Sequence, residues 1–123
     1  MVMLDIDCFK TVNDQHGHGA GDRALISVAQ TLTSTVRQGA DVVARIGGDE
    51  FAMLISDLTL GQAENRLRVL VSRIAAASFE TPTGAPFHLT LSGGIAEFSA
   101  GDTIESLMER ADSALYDAKH LGN

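Results

Sequence analysis

No apolar run in this sequence approaches the roughly 20 residues that a membrane-crossing helix needs. The N-terminus, Met1-Val2-Met3-Leu4-Asp5, lacks the basic flank and small-residue cleavage site of a secretory leader. Cysteine is nearly absent. The single Cys8 excludes an internal disulfide, and a reduced cytoplasmic setting is the expectation. Basic residues are scarce, 9 against 16 acidic ones, for a formal net charge of −7. That balance speaks against nucleic acid and against direct membrane contact, which demand a basic face. It leaves room for a small phosphate ligand if metal ions bridge the two sets of negative charge. Internal repeats and low-complexity segments are also missing.

What is present suits one compact domain, since 123 residues are too few for two. Residues 1–6 form a short apolar run ending in Asp5 and Asp7, followed by a polar, glycine-punctuated stretch through Gly21. Leu25, Val28, Ala29, Leu32 and Val36 recur at helical spacing, and Gly39 marks the expected stop. Residues 42–46 and 51–55 read as strands flanking Gly47-Gly48, a hairpin signal because a tight turn needs positive φ at low cost. Ala63, Leu67, Leu70, Val71 and Ile74 mark a second amphipathic helix. Residues 81–86, with both prolines, read as a loop, and residues 87–98 as a strand. Asp102-Thr103-Ile104-Glu105 has the form of a capping box opening a last helix, with Ile104, Leu107, Met108, Ala111, Leu115 and Ala118 on one face.

The order β-α-β-β-α-β-α is the split βαβ pattern of the ferredoxin-like, α+β class, with a mainly antiparallel central sheet and packed helices. The first crossover makes strands one and two parallel, and strand three inserts between them antiparallel to both. Asp5, at the end of strand one, then meets Asp49 and Glu50 at the start of strand three. Carboxylates converging in this way are costly without a cation, because like charges raise one another's pKa. They are either the ligands of a hard, oxygen-liganded ion or solvated loop acids.

The segment Arg45-Ile46-Gly47-Gly48-Asp49-Glu50-Phe51 carries a G-G-D-E-F string. Around it stand Asp5-Ile6-Asp7-Cys8-Phe9-Lys10-Thr11-Val12-Asn13-Asp14, Gly17-His18-Gly19-Ala20-Gly21-Asp22, Leu91-Ser92-Gly93-Gly94-Ile95, Arg110-Ala111-Asp112 and Leu115-Tyr116-Asp117-Ala118-Lys119. In order and spacing these blocks resemble the GGDEF domain family of diguanylate cyclases across nearly the full chain. The resemblance implies a palm-type catalytic domain over residues 1–123 that condenses two GTP into cyclic di-GMP, with Mg²⁺, or Mn²⁺ in its place. It makes the Asp5 carboxylate, the Ile6 carbonyl and Asp49 metal ligands, and Asp49 and Glu50 catalytic. Glu50 either helps hold metal or assists deprotonation of the attacking 3′-hydroxyl. Asn13 and Asp22 match the pair that reads guanine, Lys10 and Lys119 match triphosphate contacts, and Gly47 and Gly48 let the backbone approach the nucleotide.

The family's reaction implies a homodimer, each copy bringing one GTP, and sensor or phosphodiesterase domains in a longer protein. A non-catalytic GTP-binding regulatory domain is the alternative, but such domains usually lose an acid that this chain keeps. A pure interaction domain lacks a large apolar or basic patch to support it. Other residues have plainer expectations. His16 and His18, amid glycines and without a cysteine pair, fit a local turn better than a zinc site. Cys8, Phe9 and Phe51 are expected in the core. Arg45 is expected to pair with an acid, and Asp7 is a spare ligand or a helix cap. Three departures from the family stand out. The chain lacks the upstream helix with its leucine-threonine and asparagine-arginine-arginine motif. It stops at Gly122-Asn123, with Asn123 where an arginine often contacts phosphate, so the domain reads as trimmed at both ends. In the product-binding window ahead of the signature, Gln38-Gly39-Ala40-Asp41 has no arginine at its head, the nearest being Arg37. Weak product feedback is the expectation.

Overall fold

The computed structural model describes residues 1–37, 39–79 and 86–121. Eight elements follow along the chain: β1 (Val2–Ile6), α1 (Phe9–His16), α2 (His18–Thr35), β2 (Val42–Arg45), β3 (Glu50–Leu54), α3 (Leu60–Ala76), β4 (Leu91–Ile95) and α4 (Ile104–Leu121). The sheet order is β2-β3-β1-β4, with every neighbouring pair antiparallel. β1 and β2 are thus parallel with β3 between them, the ferredoxin-like arrangement that the element order implies. Among the described residues no helix is long and apolar enough to cross a membrane.

Side chains alternate across a strand, and β1 uses both faces. Val2, Leu4 and Ile6 join Phe51, Met53 and Leu91 in a core closed by Val28 and Leu32 of α2 and Leu70 and Ile74 of α3. Met3 points the other way, with Ala52, Ala96, and Leu107, Ala111 and Leu115 of α4. Asp5 follows Met3 on that second face, so the helix that covers it is α4.

Several local expectations change. The stretch after β1 is not irregular: it holds α1, eight residues long, whose one buried residue is Val12, too little apolar surface for a periodic signal. Cys8 is exposed rather than buried, and sits at φ 55 in the left-handed region, where it turns the chain from β1 into α1. Phe51 is buried as expected, and Phe9 packs against the core from its edge. α2 ends at Thr35, before Gly39. The expected strand over 87–98 is only β4, preceded by an isolated bridge from Phe87 to Phe79. Of the expected loop over 81–86, residues 81–85 lie outside the described residues.

The capping box of α4 is shifted by one residue: Thr103 Oγ1 accepts from Ser106 N at 3.1 Å and Ser106 Oγ from Thr103 N at 2.9 Å. Asp102 instead accepts from Ser99 N at 2.7 Å and pairs with Arg110. A second box, Thr59 with Gln62, opens α3.

The docking of α4 depends on a bare strand. A Cβ on Gly94 would lie 2.2 Å from Leu115 N and 2.4 Å from Ala111 O, both helix backbone. A Cβ on Gly93, on the opposite face, would lie nearest the Leu67 methyls, at 2.8 and 2.9 Å, and Leu4 Cδ2 at 3.1 Å, all side-chain ends. Backbone cannot yield as a leucine tip can. Gly94→Ala should therefore cost about 3 kcal/mol in urea denaturation and Gly93→Ala about 1 kcal/mol. Equal costs would contradict this account of how α4 is seated.

Candidate active site

At the end of β1 the register sets Asp5 opposite Glu50 on β3 and Ser92 on β4. Ile6 N donates to Asp49 O at 3.2 Å, which fixes the residue before Glu50 against the same strand end. The Ile6 side chain is buried, so only its carbonyl can address a ligand. Asp5, Asp49 and Glu50 are thus gathered in one place, as the strand order requires.

The Asp5 side chain is largely covered, at 15% exposure, and its Oδ1 is buried with no hydrogen-bond partner. Its Oδ2 accepts from Lys119 Nζ, which reaches over from the last turn of α4. Burial pushes the Asp5 pKa up. Lys119 pulls it down, but the facing Asp49 carboxylate raises it again, and the net direction is upward. Burial alone would lower the Lys119 ammonium, yet Asp5, Asp7 and Asp49 together hold it above its ordinary value. Lys119 therefore occupies the position of a cation among these acids.

No group of three or more histidine, cysteine, aspartate or glutamate side chains among the described residues closes around one point as a metal cage. The donors present are carboxylate and carbonyl oxygens, and one of them, Asp5 Oδ1, is buried and orphaned. That set fits an ion such as Mg²⁺, which takes one or two carboxylates and fills its shell with water and phosphate.

Asp7 does not cap α1: its carboxylate accepts from Thr90 Oγ1 and Ser92 Oγ, each at 2.7 Å, tying the end of β1 to β4. Asn13, on α1, and Asp22, on α2, are brought together by the close packing of those helices. A Cβ on Gly21 would lie 1.9 Å from Asn13 Oδ1, so the Asn13 amide rests directly on the glycine that precedes Asp22. Gly21 is the site residue that reading from the sequence left without a role. Lys10 is exposed on the first turn of α1. His16 stacks on Phe87 with ring centroids 4.6 Å apart, a packing role, and His18 is exposed.

The signature turn differs from expectation in two ways. Neither Gly47 nor Gly48 has positive φ, and a Cβ on either would meet nothing within 4 Å. Neither the backbone nor internal packing demands glycine here, so the free space lies outward. Among the described residues Arg45 pairs with no acid; it donates to the Gly47 and Gly48 carbonyls.

Gln38, Gly122 and Asn123 lie outside the described residues. Asp41 has a fully covered side chain, accepting from Arg37 N at 2.9 Å, Arg37 Nε at 3.3 Å and Ser56 N at 3.2 Å. Arg37 above all holds its carboxyl down, at a pKa of about 2. Arg37 also donates to the Ser56 carbonyl, so the arginine nearest the product-binding window is engaged within the fold.

The profile of the family described as diguanylate cyclase, GGDEF domain, matches residues 1–123. The chain is 43% identical over 122 residues to the diguanylate cyclase DgcP of Pseudomonas aeruginosa, covering 99% of this chain and 18% of that protein. It is 38% identical over 126 residues to the diguanylate cyclase DgcM of Escherichia coli, covering 99% of this chain and 28% of DgcM. The chain therefore spans less than a third of the length of either relative. Among solved structures it is similar to the GGDEF domain of DgcB from Caulobacter crescentus in complex with c-di-GMP. There the TM-score is 0.93 at 32% identity, over 99% of this chain and 72% of that one. It is also similar to the diguanylate cyclase SiaD of Pseudomonas aeruginosa in complex with its activator SiaC. That TM-score is 0.90 at 36% identity, over 98% of this chain and 46% of that one.

The contact between Gly21 and Asn13 can be checked directly. Gly21→Ala should displace the Asn13 amide, a flexible side-chain end, while gaining about 1 kcal/mol of helix propensity. Unfolding free energy should change by less than about 1 kcal/mol, and the Asn13 side-chain amide signals should shift in a two-dimensional ¹H–¹⁵N spectrum. Unmoved Asn13 signals would contradict the packing described.

Proposed function

Because the chain belongs to the diguanylate cyclase GGDEF domain family, we propose that it condenses two GTP molecules into cyclic di-GMP and releases two pyrophosphates. The observation that carries this reading is the meeting of Asp5, Asp49 and Glu50 at one strand end, with a buried oxygen of Asp5 left unpartnered. All three acids are retained, which favours a catalytic domain over a GTP-binding regulatory one.

In this reading Asp5, the Ile6 carbonyl and Asp49 hold Mg²⁺, and Mn²⁺ serves in its place. The ion would supply charge neutralisation at the phosphates and a lower pKa for a bound hydroxyl. Asn13 and Asp22 read guanine. The aspartate accepts from N1–H and N2–H, and the asparagine donates to the acceptor edge. Adenine would leave those groups unpaired. Lys10 and Lys119 would meet the triphosphate, Lys119 from its place beside Asp5. Gly47 and Gly48 leave the outward space that a nucleotide needs.

Each half-reaction forms a bond from the 3′-oxygen of one GTP to the α-phosphorus of the other. The bond from that phosphorus to its bridging oxygen breaks, pyrophosphate leaves, and Glu50 or solvent takes the 3′-hydroxyl proton. Two such steps close the ring. One site holds one GTP, so two copies face each other across a two-fold axis, and their contribution is alignment of the reacting groups. In the longer protein, sensor or phosphodiesterase domains would govern that encounter, and the site would work in the cytoplasm. Product feedback through the window ahead of the signature is weak in this reading, because Asp41 and Arg37 are engaged with each other.

Asp49→Ala and Glu50→Ala should each lower product formation by at least about a hundredfold, since each removes charge placed at the reacting groups. Both residues are only partly buried at the turn, so the fold should remain. The check is mass-spectrometric detection of cyclic di-GMP after incubation with GTP and Mg²⁺, beside circular dichroism. Near-native turnover by either variant would remove the assignment.

A further inference from the structure

Arg45 closes β2, immediately before the signature turn. Its Nε donates to Gly47 O at 3.0 Å and Gly48 O at 3.2 Å, and its Nη2 to Gly48 O at 2.7 Å. The guanidinium is thereby folded across its own hairpin turn and grips two successive carbonyls.

The peptide bond converts that grip into a direction. No peptide in the described chain is cis, and in a trans peptide the C=O and N–H point to opposite sides. The Gly47 carbonyl shares its peptide with the Gly48 amide, and the Gly48 carbonyl with the Asp49 amide. Holding both carbonyls to the guanidinium turns the Gly48 and Asp49 amides away from it. The other amides of the turn are used internally: Ile46 N and Gly47 N both donate to Glu50 O, at 2.9 and 3.5 Å. Among the described residues no acceptor takes the Gly48 or Asp49 amide. Two neighbouring outward amides are donors that an anion can accept from. Open space lies above both glycines, and the Asp49 carboxylate is attached to the second amide.

The geometry points to Arg45 as a positioning residue: it clamps the Gly47 and Gly48 carbonyls so that the Gly48 and Asp49 amides face a phosphate group of the nucleotide. This assignment rests on the GTP reading above and adds to it the device that holds the turn ready. The role requires a fork. A guanidinium spans two carbonyls with fixed donors, whereas a lysine ammonium is a point charge on a flexible stem.

The test uses Arg45→Met, which keeps an apolar stem, and Arg45→Lys, which keeps the charge. In the nucleotide-free protein, ¹⁵N order parameters at Gly47, Gly48 and Asp49 should fall in both variants, with the rest of the sheet unchanged. Order parameters that stay at their native level would overturn the clamp, whatever the ligand. With Mg²⁺ and a non-hydrolysable GTP analogue, both variants should bind about tenfold more weakly, the scale of a lost charge-assisted hydrogen bond. Guanosine, which has no phosphate, should bind as it does to the unmodified protein. Equal losses for the analogue and guanosine, or no loss for either, would overturn the phosphate-directed role. Full rescue by Arg45→Lys would overturn the forked grip in favour of charge alone. Failure of the unmodified protein to bind the analogue would instead sink the GTP reading, with the clamp still judged by the order parameters.

Discussion

The contact between Asp5 and Lys119 joins β1 to α4. Asp5 lies near the end of β1 on the face that α4 covers, and burial, together with the Asp49 carboxylate, works against its charge. Lys119, from the last turn of α4, supplies the compensating cation. A carboxylate enclosed in this way is expensive unless it is paired or bound to metal. The lysine resolves that conflict for Asp5 Oδ2, while Asp5 Oδ1 stays buried and without a hydrogen-bond partner.

That contact rests in turn on close approach of backbones. α4 reaches β4 because Gly94 has no side chain to hold it off, and its docking places Lys119 above Asp5. The same device recurs at the other edge of the site, where Gly21 lets Asn13 lie against α2 beside Asp22. At the signature turn the logic is reversed. Gly47 and Gly48 have nothing to avoid within the fold, and the room they leave faces outward.

Much of this was legible in the sequence. The element order dictated the strand order, and the strand order dictated that Asp5 would meet Asp49 and Glu50, because crossover handedness leaves few alternatives. Recurring apolar residues disclosed α2, α3 and α4, whereas α1, eight residues with only Val12 buried, gave no period to read. Cys8 was expected inside because the family it resembles prefers a large apolar residue at that place, but a left-handed turn at that residue carries it to the surface. The box opening α4 was misplaced by one residue because Asp102 and Thr103 are both able to cap, and only geometry separates them. The Lys119–Asp5 and Arg45–turn contacts depend on side-chain reach across elements, which spacing along the chain does not encode.

The central claim is that Asp5 and Asp49 form a divalent-metal position that Lys119 balances until the ion arrives. Mn²⁺ binding to the nucleotide-free protein, followed by electron paramagnetic resonance, tests it most directly with the unmodified protein, Lys119→Met and Asp5→Asn. Loss of the lysine leaves the carboxylates uncompensated, so Lys119→Met should bind Mn²⁺ severalfold more tightly, and Asp5→Asn should bind it far more weakly than the unmodified protein. Mn²⁺ affinity indifferent to both substitutions would contradict the account.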